Sequence, residues 1–221
     1  NDDATYRPAS LMKVPVMMAI LKQSETNPDL LNKAITVTPE MYPLEIQNIS
    51  PEETAQDNTT YTISELIRLM IVHSDNRSAD ILLNVMNKQE FAEILFDLDM
   101  PVPANPGDYA VSPRIYSIFF RALDNATYLN SANSEYALKL LSQTTFNAGI
   151  TAGIDEDIVV AHKFGDGSVT TGATSTTELH DCGIFYTDNP YILCVMTKGS
   201  NLDSLKIPVA EMSKIVSDYL E

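Results

Sequence analysis

The sequence predicts an α+β fold in which an antiparallel sheet packs against a helical lobe. Three observations predict it. Helical patterns crowd the first two thirds of the chain, about residues 10–150, where apolar residues recur at helical spacing. Two β-rich runs, His180–Thr187 and Tyr191–Thr197, are joined by the turn Asp188-Asn189-Pro190. An amphipathic pattern over Ser204–Leu220 then closes the chain as a helix. Helices and strands that segregate in this way indicate a sheet covered by helices rather than alternating βαβ units. The 221 residues are read as one domain, with the sheet and terminal helix at about 151–221.

The elements follow in order. Residues 1–9 are polar and irregular. Ser10–Leu21 is apolar almost all round, which marks a buried helix, and Pro15 is tolerated because it falls near the first turn. Residues 24–61 are loop-rich, with a short strand at Ala34–Thr38. Thr62 and Glu65 form a capping box ahead of the helical run Leu66–Val72. The pattern breaks at His73-Ser74-Asp75-Asn76 and resumes at Ser78–Met86 and Glu90–Leu95. Residues 97–113 are proline-rich and connect. Helices are expected at Arg114–Leu123 and Glu135–Thr144, and a strand at Ile158–Ala161, followed by a Gly/Thr/Ser stretch.

Composition excludes several functions. A net charge of −16 repels phosphate backbones, so nucleic acid is not an expected partner. Two cysteines outside any CxxC pair and three scattered histidines are a poor metal inventory, and neither metal nor cofactor is expected. No apolar run approaches the roughly 18–20 residues that span a bilayer. The chain starts at Asn1, with no secretory leader, which fits a processed or trimmed form.

Three short motifs share one chemistry. Ser10-Leu11-Met12-Lys13 is S-x-x-K, and residues three apart on a helix share a face. A serine hydroxyl is a weak nucleophile that needs a base, and desolvation among Val14, Val16, Met17 and Met18 favours the neutral amine of Lys13. The helix start also favours a developing oxyanion at Ser10. Ser74-Asp75-Asn76 interrupts a helical pattern. Its serine can relay a proton and its asparagine can bind a substrate amide. Lys163-Phe164-Gly165 ends a strand, where a lysine can face a cleft and a glycine admits a close backbone. Each motif alone has an ordinary reading as a helix cap, a turn or a solvated strand end.

In this order the three resemble the S-x-x-K, S-D-N and K-T-G signature of class A β-lactamases and penicillin-binding proteins. The resemblance covers nearly the whole chain. It implies a serine hydrolase that forms an acyl-enzyme with β-lactams or D-alanyl-D-alanine peptides. Ser10 would attack, Lys13 would take the proton and Ser74 would pass it to the departing nitrogen. Lys163 would assist electrostatically and hold the substrate carboxylate, and Asn76 would fix the acyl amide. Gly165 would admit the substrate, and the backbone N–H groups of Ser10 and Asp166 would form the oxyanion hole. It also implies a small-molecule or cell-wall peptide substrate, no cofactor, and a place outside the cytoplasm; oligomeric state stays open.

Three departures from the family stand out. No E-x-x-L-N segment, which carries the deacylating glutamate, lies between Asn76 and Lys163. The acids of the corresponding stretch are Asp97, Asp99 and Asp108, with Asp108 the substitute to test. Slow deacylation is therefore expected. Phe164 stands where the family has Thr or Ser, with Thr170 and Thr171 as the nearby hydroxyls. The helix and two strands that the family places before S-x-x-K are not in the nine preceding residues. A D,D-peptidase, trapped by the drug, and a once-acylated sensor remain as alternatives.

Cys182 and Cys194 fall on the two strands of the expected hairpin. Their spacing permits a directly opposite pair, but two buried thiols are the preferred reading. His73 and His162 each abut a motif and are read as structural, and Tyr109, Tyr116 and Tyr128 carry no assignment.

Overall fold

The computed structural model describes residues 2–43, 47–101, 109–171 and 174–220. It divides into two compact units. One contains residues 12–99 and 122–145, and the other 1–11, 100–121 and 146–221.

The first of these is helical. Helix α1, Lys13–Thr26, continues a 3-10 turn at Ala9–Met12. Every residue of α1 from Lys13 to Leu21 is buried, as its all-round apolar character requires. Strands β1 (Ala34–Thr36) and β2 (Thr60–Thr62) pair antiparallel. Helix α2, Ile63–Val72, follows directly. Its capping box is formed as expected: the Glu65 N–H donates to Thr62 Oγ1 at 3.2 Å, and the Thr62 N–H donates to Glu65 Oε2 at 2.7 Å. Thr62→Ala removes half of the box and is expected to cost about 1 kcal/mol in urea denaturation.

Helices α3 (Asn76–Val85) and α4 (Lys88–Asp97) start two residues ahead of the sequence expectation. In each case a side chain sets the start. Asp75 accepts the Arg77 and Ser78 N–H groups, and Asn87 accepts that of Gln89. Helix α5, Pro113–Asp124, belongs to the other unit up to Arg121. Helix α6, Ser131–Leu141, is displaced from the expected Glu135–Thr144, because Asn130 caps it through the Asn133 N–H. Helices α2, α4 and α6 all pack on α1 or on one another around its apolar surface.

Among the described residues, the other unit is built on a three-stranded antiparallel sheet in the order β3-β4-β5. Strands β3 (Val159–Thr171) and β4 (Thr174–Tyr186) are far longer than the sequence reading, which left the Gly/Thr/Ser stretch unassigned. Threonine suits a pleated surface, and here it pairs across strands: Ser168 lies opposite Thr177, with their hydroxyls 3.3 Å apart. Strand β5 is Tyr191–Gly199.

The register sets Cys182 directly opposite Cys194, with Cα atoms 4.1 Å apart, and the two form a disulfide. This corrects the expectation of buried thiols. The register puts both cysteines at one rung of the ladder, where the Cβ atoms face each other.

Helix α7, Leu202–Leu220, packs on β4 and β5 and buries Leu205, Val209, Ser213 and Ser217, one stripe at helical spacing. It also meets the 3-10 turn Ile150–Gly153. A Cβ on Gly153 would lie 2.1 Å from the Ala210 carbonyl oxygen, so only glycine permits this approach. No helix among the described residues is long and apolar enough to cross a membrane.

Candidate active site

The helical unit brings three of the expected residues together. Lys13, 6% exposed, heads α1. Its Nζ donates to the Ser74 carbonyl oxygen at 2.7 Å, to Ser74 Oγ at 3.2 Å and to Asn76 Oδ1 at 2.6 Å. Ser74 and Asn76 flank the break between α2 and α3, so residues 61 and 63 positions away in sequence converge on one amine. Ser74 has a φ of 57°, a left-handed conformation that a non-glycine residue adopts only under constraint.

Asp75 supplies much of that constraint. It is fully buried and accepts hydrogen bonds from Thr54 Oγ1 (2.7 Å), the Ala55 N–H (3.1 Å), the Arg77 N–H (3.3 Å), the Ser78 N–H (3.0 Å) and Ser78 Oγ (2.6 Å). The carboxylate thus caps α3 and anchors the turn to residues 54–55. Gln47 adds a further tie, donating to the Ser74 carbonyl and accepting from the Asn76 N–H, each at 3.0 Å. Sequence reasoning treated Asp75 as a turn residue and missed Gln47, which sits in no motif. His73 lies beside this turn but is engaged elsewhere: Arg68 Nη1 is 3.1 Å from its Nε2, and Glu53 is 3.5 Å away.

The sheet unit holds the remaining residues. Ser10 lies in the 3-10 turn Ala9–Met12 and is half-buried. Ala9 has a φ of 47°, which starts the turn sharply. The Leu11 N–H donates to the Pro8 carbonyl at 3.0 Å. Tyr116 donates its hydroxyl to the Leu11 carbonyl at 2.7 Å, fixing the Leu11–Met12 peptide at the end of the turn that carries Ser10. Burial first, and then the nearby Tyr109 and Asp181, hold the Tyr116 phenol well above its usual range, so it stays a donor. Its part in the turn had no signal in sequence, because it reads as one more aromatic on the periodic face of α5.

Lys163, Phe164 and Gly165 lie in β3, opposite Cys182, Asp181 and His180. A Cβ on Gly165 would sit 2.7 Å from the Pro8 carbonyl oxygen and 2.9 Å from the Leu11 N. The glycine therefore lets the turn carrying Ser10 lie directly on the strand. Lys163 is fully buried, with Nζ donating to the Phe164 carbonyl at 3.0 Å and lying 4.2 Å from the centre of the Phe164 ring. That ring is 3% exposed and stacked on Phe146 with centroids 4.1 Å apart. Asp166 follows on β3, half-buried, opposite Leu179. His162 Nδ1 is 2.9 Å from Asp181 Oδ1, and the other oxygen of Asp181 accepts the Ile150 N–H at 3.0 Å. That carboxylate is fully buried and ties β4 to the turn before β3.

Asp97 and Asp99 are exposed at and just beyond the end of α4. Asp108 lies outside the described residues, as do the side chains of Thr170 and Thr171. No group of three or more His, Cys, Asp or Glu side chains suited to a metal occurs among the described residues.

A family model described as a beta-lactamase enzyme family, Beta-lactamase2, matches residues 1–220. Among curated relatives, beta-lactamase VEB-1 of Pseudomonas aeruginosa is 24% identical over 99% of this chain and 79% of its own length. Beta-lactamase CTX-M-25 of Escherichia coli is 28% identical over 76% of this chain; this chain spans 62% of that protein. Among solved structures, PBP-A superposes with a TM-score of 0.80 at 20% identity, over 99% of this chain and 83% of its own. A class A beta-lactamase from Mycobacterium abscessus superposes with a TM-score of 0.81 at 21% identity, over 99% and 86%. The β-lactamase-like α+β architecture expected from the sequence is thus the observed one.

Proposed function

We propose that this chain, which belongs to the beta-lactamase enzyme family, is a serine hydrolase that is acylated by β-lactams through Ser10 and deacylates slowly. The observation that carries the reading is the hydrogen-bonded set of Lys13, Ser74 and Asn76. A lysine amine buried against a serine hydroxyl is a proton carrier with a relay attached.

In the proposed step, Ser10 Oγ bonds to the β-lactam carbonyl carbon and its proton passes to Lys13. The C–N bond then breaks, and Ser74 hands a proton to the departing nitrogen. The Ser10 and Asp166 N–H groups stabilise the oxyanion, a contribution typically worth about 2.7–4 kcal/mol per donor. Asn76 holds the acyl amide, Gly165 gives the substrate room, and Lys163 supplies charge for its carboxylate. Phe164 brings no hydroxyl to that carboxylate, so ordinary penicillins are expected to bind weakly.

Slow deacylation is supported by the absence of an E-x-x-L-N segment between Asn76 and Lys163. The same observation favours a second reading, a D,D-peptidase that cleaves cell-wall peptide and is trapped by the drug. A point mutant of PBP-A, similar in fold, has been captured as an acyl-enzyme with penicillin G. The Cys182–Cys194 disulfide suits an oxidising compartment and supports a place outside the cytoplasm.

Intact-protein mass spectrometry over time, with benzylpenicillin and a chromogenic cephalosporin, tests the reading. A persistent adduct is expected. An adduct that clears while product accumulates would replace slow deacylation with β-lactamase turnover. No adduct with any β-lactam would end the penicillin-recognition reading.

A further inference from the structure

The turn Ser74-Asp75-Asn76 has two backbone problems. Ser74 is held at a φ of 57°, and Asn76 is the first residue of α3, where an N–H has no partner within the helix. One side chain answers both. Gln47 Nε2 donates to the Ser74 carbonyl at 3.0 Å, and Gln47 Oε1 accepts from the Asn76 N–H at 3.0 Å. Only one orientation of the carboxamide satisfies both bonds, because a backbone carbonyl can only accept and an N–H can only donate. The two bonds straddle Asp75, so the turn is gripped at each end.

The gripped atoms belong to the groups that Lys13 uses. The Ser74 carbonyl that takes the Gln47 amide also takes Lys13 Nζ, at 2.7 Å. The peptide that Gln47 holds at Asn76 carries the Oδ1 that lies 2.6 Å from the same amine. Both of these Gln47 bonds are to backbone atoms of the turn. We infer that Gln47 is a positioning residue for acylation, acting through the backbone to hold Ser74 Oγ and Asn76 Oδ1 against Lys13. The inference rests on the acyl-transfer reading given above.

A purely structural role has a distinct signature. Asp75 already caps α3 and ties the turn to Thr54 and Ala55, so the turn keeps its fold without Gln47. Loss of Gln47 should therefore loosen geometry more than it lowers stability. Displacements of about 1 Å in a catalytic constellation cost about 10²-fold in rate.

The test compares wild type, Gln47→Leu and Gln47→Glu. Acylation rates are followed by quenched-flow mass spectrometry with the chromogenic cephalosporin across pH, beside thermal melts. Gln47→Leu is expected to slow acylation about 10²-fold with little change in Tm. Gln47→Glu keeps the acceptor for Asn76 but sets a carboxylate where the donor to Ser74 was, close to Lys13. An adjacent anion favours the ammonium. Acylation needs the neutral amine, so its acid limb should move to higher pH. Two results would overturn the inference: both variants acylating like an active wild type, or a rate loss in Gln47→Leu that tracks unfolding while the Gln47→Glu profile overlays wild type. A wild type that forms no adduct would remove the acyl-transfer reading itself, and the positioning role with it.

Discussion

Replacing Ser10 with alanine is expected to abolish the covalent β-lactam adduct while leaving the fold intact. Ser10 sits half-buried in the turn Ala9–Met12. The turn itself is held by the Pro8–Leu11 hydrogen bond, by Tyr116 on the Leu11 carbonyl and by the close packing of Gly165. None of these involves the Ser10 side chain. The Tm of Ser10→Ala should therefore stay near that of wild type. Its effect on rate should be among the largest any single change produces, on the order of 10⁶-fold where a nucleophile is removed. Intact mass after hours with benzylpenicillin reads this directly. An adduct of equal mass and amount on Ser10→Ala would move the nucleophile to another residue, and Ser74 would be the next to examine.

Asp75→Ala is expected to be the most destabilising single change in the motif residues. The side chain is fully buried and accepts hydrogen bonds from two backbone N–H groups of α3, one N–H and one hydroxyl of residues 54–55, and the Ser78 hydroxyl. Truncation leaves these donors buried without an acceptor, and each such group costs about 1–3 kcal/mol. Because the partners relax in part, the net cost is expected at about 3–5 kcal/mol, the upper end of single-substitution effects. For a chain of this size that is a fall in Tm of about 6–20 °C. Thermal and urea melts measure it. Asp75→Asn should lie between the two, since one acceptor oxygen survives and the new NH2 faces former donors. A loss below about 1 kcal/mol for Asp75→Ala would mean that water or a shifted turn replaces the carboxylate. Because Asp75 holds the peptide between Ser74 and Asn76, acylation should fall with stability here. That separates Asp75 from Gln47, where the rate should fall with little change in Tm.

The elements that were legible in sequence have local causes. The capping box at Thr62 and Glu65, the fully apolar run of α1 and the stripe of α7 each depend on residues within a few positions of one another. Their formation follows from spacing alone. The starts of α3 and α6 were misplaced because Asp75 and Asn130 cap through side chains that also read as ordinary turn residues. The length of β3 and β4 was missed for a different reason. Gly167 and Ser168 have little strand preference and mask that of Thr170 and Thr171, so the stretch becomes strand through its pairing with Thr174–Glu178. Register across a hairpin is a property of two segments, and the same register turned two presumed thiols into the Cys182–Cys194 disulfide.

The chemistry divides along the same line. By itself the sequence determined which residue types were present and in what order: S-x-x-K, S-D-N and a lysine-glycine strand end, with a net charge of −16. Those are statements about composition and short spacing, and no folding is needed to make them. Only the tertiary structure decided that Lys13 meets Ser74 and Asn76, that Gln47 and Asp75 hold that turn, and that Gly165 makes room for the turn of Ser10. The physical reason is range. A helix cap is chosen by neighbours along the chain, whereas a hydrogen bond between residues tens of positions apart exists only once the core has brought their backbones together, and no local pattern encodes it.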